Sequence, residues 1–290
     1  MGFKKLGRDL YLLGGSPATL VVLGDEPWII DPGMGGERCR SIRGFLGVRG
    51  VEHYGVFATH AHPDHINAAW CMEKPLHIHG AEACAAREGL IRDVVVYGAR
   101  APRGLFHLEA RDAGQVEPVE WGFRLGPCKA VALPGHSPGH TGILCEEQGV
   151  LHAADAVFGD RLLGRAGAPF FSDYIGARSS VERVGEYVEA GYRISMGHGP
   201  VVRGERAEAL VRANIGAMDR ALRLILELLG RPRGVSELTY MLAERLGASL
   251  DVEGLLLNEV PVKAVLSYLV DEGRVEPRTS GAGVVWARRP

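Results

Sequence analysis

Short apolar runs separated by glycine- and proline-rich loops dominate the first two hundred residues of the chain. They have the length and the β-branched composition of strands, and they cover residues 19–23, 28–30, 55–59, 75–78, 129–133, 142–145 and 150–153. The segment 146–149, EEQG, lies between two of these runs and predicts a hairpin turn joining antiparallel strands. The pattern predicts a layered α/β body with at least partly mixed sheets.

The pattern changes after residue 204. Apolar residues at helical spacing predict a long helix over 205–229, shorter helices over 235–246 and 260–272, and strands over 275–277 and 283–287. This layout is that of a winged helix, and residues 266–275, LSYLVDEGRV, resemble the helix-to-wing passage of that family. A chain of 290 residues also exceeds the comfortable size of one core. We therefore predict a body over 1–204 and a linker helix with a small winged-helix-like domain over 205–290.

Composition places the chain among ordinary globular proteins. It is 46% hydrophobic and 23% charged with a net charge of -2, so it carries no overall basic field that would attract nucleic acid or acidic membranes. No run reaches the roughly 18 to 20 apolar residues of a membrane-spanning helix. The first apolar stretch is interrupted by glycine, charged residues and proline, unlike a signal peptide. We expect a soluble, cytoplasmic protein without a membrane partner.

The five cysteines are scattered and odd in number, and no CxxC pair occurs; they are Cys39, Cys71, Cys84, Cys128 and Cys145. This distribution argues against a disulfide framework and against a thiolate zinc site. We interpret the cysteines as small buried apolar residues.

The strongest chemical signal is the sequence THAHPDH at residues 59–65, directly after an apolar strand. Four of its side chains can ligate a metal, namely His60, His62, Asp64 and His65. Alternate residues of a loop that leaves a strand point the same way, so His60 and His62 can share one ion. Asp64 and His65, at the turn into the next helix, can face a neighbouring position. The spacing therefore predicts two adjacent metal sites.

Three later segments carry further candidate ligands, each at a predicted strand end. They are LPGHSPGHT with His136, AADA with Asp155 and MGHGP with His198. Together with residues 59–65 they resemble the metallo-β-lactamase superfamily pattern of HxHxDH, a single His, a bridging Asp and a final His, over about residues 10–204. Residues 29–33, IIDPG, resemble that family's early strand-turn motif, in which Asp31 supports the metal loops without ligating metal.

The resemblance implies an αβ/βα sandwich of two packed sheets with helices outside. It places His60, His62 and His136 on one metal, Asp64, His65 and His198 on a second, and Asp155 between them. In such a centre a metal-bridging hydroxide is the nucleophile, and Asp64 can also orient its proton. Nitrogen and carboxylate ligands without thiolates favour zinc, with iron or manganese as alternatives.

Other residues receive smaller roles. His140 is expected to support the loop of His136 without ligating metal. The segment 158–178 is predicted to be loop-like before a helix over 179–190, and its candidates for binding substrate are Arg161, Phe171, Tyr174 and Arg178. The remaining histidines singled out are interpreted as surface or satisfied core residues; they are His53, His77, His79, His107 and His152.

Four functions follow from these patterns. The first is a hydrolase similar to glyoxalase II that cleaves a small-molecule thioester, ester or lactone, although the C-terminal region does not match that family's glutathione-binding domain. The second is a single-strand endoribonuclease, because lactamase-β-like proteins join the same catalytic domain to a winged helix. Against RNA, residues 205–290 carry 12 basic and 12 acidic residues and show no basic stripe. A mononuclear-iron persulfide dioxygenase and a non-enzymatic winged-helix binding protein are the remaining alternatives, and a homo-oligomer stays open.

Overall fold

The computed structural model describes residues 2–106, 112–166, 168–281 and 283–289. Its strands are β1 (Phe3–Gly7), β2 (Leu10–Leu13), β3 (Thr19–Val22), β4 (Trp28–Ile30), β5 (Gly55–Ala58), β6 (Leu76–His79), β7 (Val116–Val119), β8 (Arg124–Leu125), β9 (Cys128–Ala132), β10 (Thr141–Cys145), β11 (Val150–His152), β12 (Arg193–Ser195), β13 (Val275–Ser280) and β14 (Gly283–Arg288). Its helices are α1 (Gly35–Gly47), α2 (Pro63–Ile66), α3 (Ala83–Arg87), α4 (Gly89–Tyr97), α5 (Asp160–Ala166), α6 (Tyr174–Glu189), α7 (Glu205–Leu228), α8 (Val235–Leu246) and α9 (Val252–Asp271).

Two mixed sheets form the centre of the molecule. The first runs from β1 to β7 in sequence order, with antiparallel pairs up to β4 and parallel pairs from β4 to β7. The second has the order β12-β11-β10-β9-β8 and is antiparallel except for the β11–β12 pair. Apolar side chains of the two sheets pack against each other, including Leu20 and Phe57 from the first and Ala130 and Ile143 from the second.

Helices cover the outer faces of both sheets. Cys39, Ile42 and Phe45 of α1 pack with the outer face of the first sheet. Against the second sheet lies a larger cluster that includes residues of α6, α7, α8 and α9. The architecture is the predicted αβ/βα sandwich, because each sheet buries one face against the other sheet and one against helices.

The strands predicted between residues 19 and 153 are confirmed to within one residue at their ends, and the hairpin at 146–149 joins β10 and β11 as antiparallel neighbours. The strand predicted over 275–277 extends to Ser280, and strands β7, β8 and β12 were not predicted. Strands β1 and β2 were also missed; they pair around a turn where Asp9 takes a left-handed conformation with φ of 57°. In β1 only Leu6 is buried and the lysines are exposed, so the apolar signal of a strand is weak.

Two helix predictions were wrong, and in both cases an aspartate cap explains the true start. Helix α6 begins at Tyr174 rather than at 179, with Asp173 accepting a hydrogen bond from the Ile175 amide at 3.1 Å. Helix α9 begins at Val252 rather than at 260, with Asp251 accepting from the Gly254 amide at 2.7 Å. The segment predicted as a loop also contains α5.

The C-terminal region contains the predicted order of elements. Helices α7 and α8 lie where the spacing predicted them, and β13 and β14 form an antiparallel hairpin. One hydrophobic cluster contains residues from both sides of residue 204, such as Met196 and Met218. The identity of this region as a winged helix stays a prediction. Among the described residues, no helix is long and apolar enough to cross a membrane.

The interpretation of the cysteines as unpaired was wrong for four of them. Disulfides join Cys39 to Cys71 and Cys128 to Cys145, whereas Cys84 is free and exposed. All four paired cysteines are buried. The second pair connects β9 and β10, whose register places residues 128 and 145 side by side at the end of the ladder. Linear spacing does not contain this information, because pairing follows from strand register.

Candidate metal centre

The predicted metal ligands lie at one edge of the sandwich. Strands β4 and β5 run parallel, so Asp31 after β4 and the loop 59–65 after β5 meet at the same edge. In the second sheet β11 and β12 are also parallel, and Asp155 and His198 follow them. Strand β9 points the same way as β11, because both are antiparallel to β10, and His136 follows it. The topology therefore brings residues distant in sequence to one place.

The first group of candidate ligands consists of His60, His62 and His136, whose ligand atoms all lie within 4.8 Å of one another. Nε2 of His136 is 2.9 Å from Nδ1 of His62. His136 uses its other nitrogen, Nδ1, to donate to the carbonyl of Phe170 at 2.9 Å. The side chain of His60 is fully buried, and its Nε2 makes no hydrogen bond to a described residue. These nitrogens have the arrangement of three ligands around one ion.

The second group consists of Asp64, His65 and His198, again within 4.8 Å of one another. Nε2 of His198 lies 3.1 Å from Oδ2 of Asp64, and Nε2 of His65 lies 3.7 Å from the same oxygen. His198 is held from its other side by Ser16, whose Oγ is 2.5 Å from Nδ1. This group therefore presents two imidazole nitrogens and a carboxylate to a common point.

Asp155 lies between the two groups. Its Oδ2 is 3.2 Å from Nε2 of His198 and 3.7 Å from Nε2 of His136, one residue from each group. Its Oδ1 is 3.4 Å from Nε2 of His65, and His60, His65 and Asp155 form a third set within 4.8 Å. The carboxylate thus has the position that a bridging ligand requires.

The two groups differ in electrostatics. Burial lowers the pKa of His60, His62 and His136, and neighbouring imidazoles lower it further for His60 and His136. These side chains are therefore neutral and keep a lone pair for a metal. Burial would also lower the pKa of His65 and His198, but nearby carboxylates raise that of His65 well above its ordinary value and that of His198 to about 10. The second group therefore favours positive charge.

The pKa values of the two carboxylates, Asp155 and Asp64, are lowered by the neighbouring histidines. Burial raises the pKa of Asp155, but His198 and His65 lower it to well below its ordinary value. The pKa of Asp64 is also lowered, because the same two histidines outweigh its burial. Both side chains are therefore ionised near neutral pH, as ligands of a divalent cation must be.

Asp31 supports the loop of the HxHxDH motif, as expected from the sequence. It is fully buried, and its Oδ2 accepts from Nδ1 of His65 at 2.8 Å. Thr59 donates to the same carboxylate from its amide at 2.7 Å and from its hydroxyl at 2.8 Å. His152, also buried, places Nε2 3.7 Å from Oδ2. These contacts fix the orientation of His65, so that its Nε2 faces the candidate metal position.

His140 supports Asp155 rather than the loop of His136 alone. Its Nδ1 donates to the carbonyl of Leu133 at 2.9 Å, and its Nε2 accepts from the Asp155 amide at 3.1 Å. Burial lowers the pKa of His140 to about 4, so the ring is neutral and can accept this bond. With both nitrogens engaged, His140 has none left for a metal.

Glu82 is a component of the site that the sequence analysis missed. Its buried carboxylate accepts from the Ala61 amide at 3.1 Å and from the Gly139 amide at 2.7 Å. It therefore joins the loop of His60 and His62 to the loop of His136. A single glutamate after a strand has no motif spacing, and only the fold reveals its two partners.

Two glycines allow the loops to approach the ligands closely. A Cβ at Gly197 would lie 2.1 Å from Oδ1 of Asp155. A Cβ at Gly135, where φ is +118°, would lie 1.9 Å from the backbone nitrogen of Ala177. Neither position has room for a side chain, so the glycines before His136 and His198 are a geometric requirement of the site.

The four predicted substrate-binding residues lie in different environments. Phe171 is buried and lines a narrow recess beside His136 and Asp155, whose cavity volume is only about 10 Å³. Tyr174 is buried, with its ring 4.7 Å from that of Tyr268. Arg178 pairs with Asp219 and Glu182. Arg161 lies exposed on α5. Only Phe171 among them lines this recess.

The histidines that were set aside are placed as follows. His79 is buried, and its ring stacks on that of Trp121 at 4.1 Å; His77 packs edge-on against Trp28 at 5.0 Å. His53 is exposed. His152 is the core residue described above beside Asp31. His107 lies outside the described residues.

The donor set fits divalent cations. Nε2 of His60, Nε2 of His65 and Oδ1 of Asp155 are buried and make no hydrogen bond to the described residues. Leaving such atoms without a partner is costly, so a partner that accepts their lone pairs is expected. Imidazole and carboxylate ligands without thiolates suit zinc, iron and manganese.

The comparisons with known proteins agree with this geometry. The family model described as the metallo-beta-lactamase superfamily matches residues 12–190, more than half of the chain. The chain therefore belongs to the metallo-β-lactamase superfamily. The resemblance inferred from the sequence is confirmed.

Individual relatives are distant. The chain is 26% identical over 149 residues to the "Probable metallo-hydrolase YqgX" of Bacillus subtilis; this match covers 49% of the chain and 65% of that protein, so slightly less than two thirds of the relative is spanned. A metallo-beta-lactamase family protein from Thermus thermophilus has a similar fold, with a TM-score of 0.74 and 21% identity over 98% of this chain and all of that one. A beta-lactamase domain protein from Burkholderia ambifaria is also similar in fold, with a TM-score of 0.71 and 17% sequence identity. The match covers 99% of this chain and 93% of that one. Both likenesses extend through the C-terminal region.

Proposed function

We propose that the protein is a dinuclear hydrolase that cleaves a small-molecule thioester, ester or lactone. The observation that carries this proposal is the set of three ligand groups that share His60 and His65, with the Asp155 carboxylate facing both outer groups. One ion would use only one of these groups. Two adjacent ions use all seven predicted ligands.

Each residue has a role in this proposal. His60, His62 and His136 hold one ion, Asp64, His65 and His198 hold the other, and Asp155 bridges them. Two such ions, for which zinc is our first choice, would lower the pKa of a bound water and polarise the bond to be cleaved. Asp64, which is 15% exposed, lies at the surface of the site and can also accept a proton from the nucleophile. Asp31, His140 and Glu82 orient the ligands.

The side chains that line the recess beside the candidate ligands favour a substrate with an uncharged, apolar group. The recess next to His136 and Asp155 is lined by aromatic and aliphatic side chains, including Phe158, Phe170 and Phe171. The ring of Phe170 lies 5.4 Å from those of both His62 and His136. The recess itself, at about 10 Å³, is too small for an acyl group, so such a group would lie against the partly exposed Phe170 ring while its carbonyl faces the metal ligands.

A second candidate function is cleavage of single-stranded RNA. It is favoured by the order of α8, α9 and the β13–β14 hairpin, which matches the layout expected of a winged helix. The equal numbers of acidic and basic residues over 205–290 weigh against it. RNA is therefore the alternative that an experiment must exclude.

The deciding experiment assays the metal-analysed protein against a panel of thioesters and lactones and, in parallel, against single-stranded RNA. Asp64→Ala is the control for contaminating enzymes, and Asp25→Ala, in an exposed turn, is its matched control. We expect turnover of thioesters or lactones that is lost in Asp64→Ala and kept in Asp25→Ala. RNA cleavage that depends on Asp64, with no ester turnover, would replace the proposal by the nuclease function. Oxidation of a persulfide by an enzyme with one iron would overturn it entirely.

A further inference from the structure

Helix α4 exposes its apolar side chains to solvent, whereas a normal surface helix packs its apolar side chains against the protein. Its apolar side chains Leu90, Ile91, Val94, Val95 and Tyr97 are 39–51% exposed, and none of its residues is buried. We call these five side chains the outer face of α4. About half of the surface of these five side chains is therefore open to solvent.

The polar side chains of α4 point toward the protein instead. The side chain of Arg92 is 9% exposed, and it donates to the carbonyls of Ala85 and Ala86 and to Asp112, the latter at 3.1 Å. Asp93 accepts from the Ala101 amide at 3.0 Å. These bonds fix the rotation of the helix about its axis. The helix therefore cannot turn its apolar side inward without breaking these polar contacts.

The apolar area that the outer face exposes is large enough to form the central part of an interface. Its five side chains expose roughly 400 Å², within the range of the largest apolar patch on a monomer, which is often functional. A standard interface buries about 800 Å² per partner, with an apolar centre and a polar rim. Helix α4 also contacts α9, whose residues 253–260 are only partly buried and extend the surface that a partner could cover.

We propose that the outer face of α4 is the centre of a two-fold interface between two copies of this chain. A two-fold interface brings the same patch of both copies together, so a net charge in the patch would repel itself. The outer face contains no charged side chain and meets this condition. Self-association removes the same apolar surface from water on both copies, which is a favourable change in free energy.

The test is the molar mass in solution, measured by light scattering during gel filtration over a range of concentrations. We expect the native protein to have about twice the monomer mass of 31.2 kDa. The double variant Val94→Ser with Val95→Ser should weaken the dimer at least about 100-fold, because each change occurs twice in the interface. Val48→Ser is the control, since Val48 is 82% exposed and lies beyond the end of α1. This control should leave the dimer unchanged.

Two results would overturn the proposal. One is a native protein that stays at 31.2 kDa at tens of micromolar, and the other is a dimer that the double variant does not weaken. If circular dichroism shows that the double variant is unfolded, Val95→Thr, which keeps the shape of the side chain, replaces it. The dimer should then weaken less, but in the same direction.

Discussion

Glu82 shows how one carboxylate can set the distance between two metal-binding loops. Its two oxygens accept from the amides of Ala61 and Gly139, which neighbour His60 and His62 in one loop and His136 in the other. Both bonds are buried. Movement of either loop would break one of them, so Glu82 acts as a positioning residue for the first group of ligands.

Replacing this carboxylate should weaken metal binding without removing a ligand. Glu82→Gln places an amide NH₂ against one of the two backbone donors, so one loop loses its anchor. We expect metal affinity to fall about 10- to 100-fold, as is typical of residues that orient metal ligands. Competition with a chromophoric chelator measures the change. Glu88→Gln, at an exposed position, should leave the affinity as in the native protein. Equal affinities in both variants would contradict the role assigned to Glu82.

At this scale, the sequence predicted the ligands better than their supports. Three histidines and an aspartate within residues 60–65 are too dense for an ordinary loop, so the candidates could be found directly. Asp31 was assigned through the family resemblance, and His140 through its place in the loop of His136. Glu82 and Ser16 have no such signal, because their partners are distant in sequence and are brought close only by the two sheets.

At the scale of elements, α7 connects the C-terminal region to the metal centre. Asn214 on α7 is fully buried; its Oδ1 accepts from the Phe158 amide, and its Nδ2 donates to the Phe158 carbonyl, both at 2.9 Å. The ring of Phe158 lies 5.7 Å from that of His136 and 6.4 Å from that of His198. Helix α7 therefore holds the segment that follows Asp155.

Loss of this connection should be costly. Asn214→Leu fills a similar volume but leaves the amide and the carbonyl of Phe158 buried without partners. At about 1–3 kcal/mol for each of the two groups, the free energy of unfolding should fall by about 2–6 kcal/mol. Denaturant titration measures it, with Arg212→Ala as the control because Arg212 is exposed on the same helix. A loss below about 0.5 kcal/mol in Asn214→Leu would show that α7 does not hold this segment.

Some elements could be predicted from the pattern of apolar and polar residues, and others could not. Central strands such as β5 and β10 were found because they are short apolar runs between turn residues. The starts of α6 and α9 were missed, since each depends on an aspartate cap rather than on apolar spacing. Helix α4 is the opposite case: its apolar spacing would suggest a buried face, but Arg92 and Asp93 turn that face outward.

At the scale of the whole molecule, the two covalent links lie in different layers: Cys39–Cys71 lies in the cluster between α1 and the first sheet, and Cys128–Cys145 lies in the cluster between the two sheets. Cys39–Cys71 joins α1 to the segment after the metal-binding loop, and Cys128–Cys145 joins β9 to β10. The fold class followed from the strand pattern and the metal motif. The disulfides did not, because the register of the strands determines which cysteines meet.

The Cys128–Cys145 link should stabilise the folded protein by restricting the unfolded chain. A sequence separation of 17 residues corresponds to about 3 kcal/mol in the loop-entropy model. Replacing both cysteines by serine should therefore lower the melting temperature. Cys84→Ser, at the free and exposed cysteine, is the matched control and should melt like the native protein. Identical melting of all three proteins would show that the link does not contribute to stability.

We propose that seven residues hold two metal ions, with Asp155 between them. Elemental analysis of the metal-saturated protein, together with hydrolysis assays of the native chain and of Asp155→Ala, tests this proposal. We expect two ions per chain in the native protein, and at most one ion and no hydrolysis in Asp155→Ala, with the variant still folded by circular dichroism. A native protein that saturates at one ion, or full activity in Asp155→Ala, would contradict it.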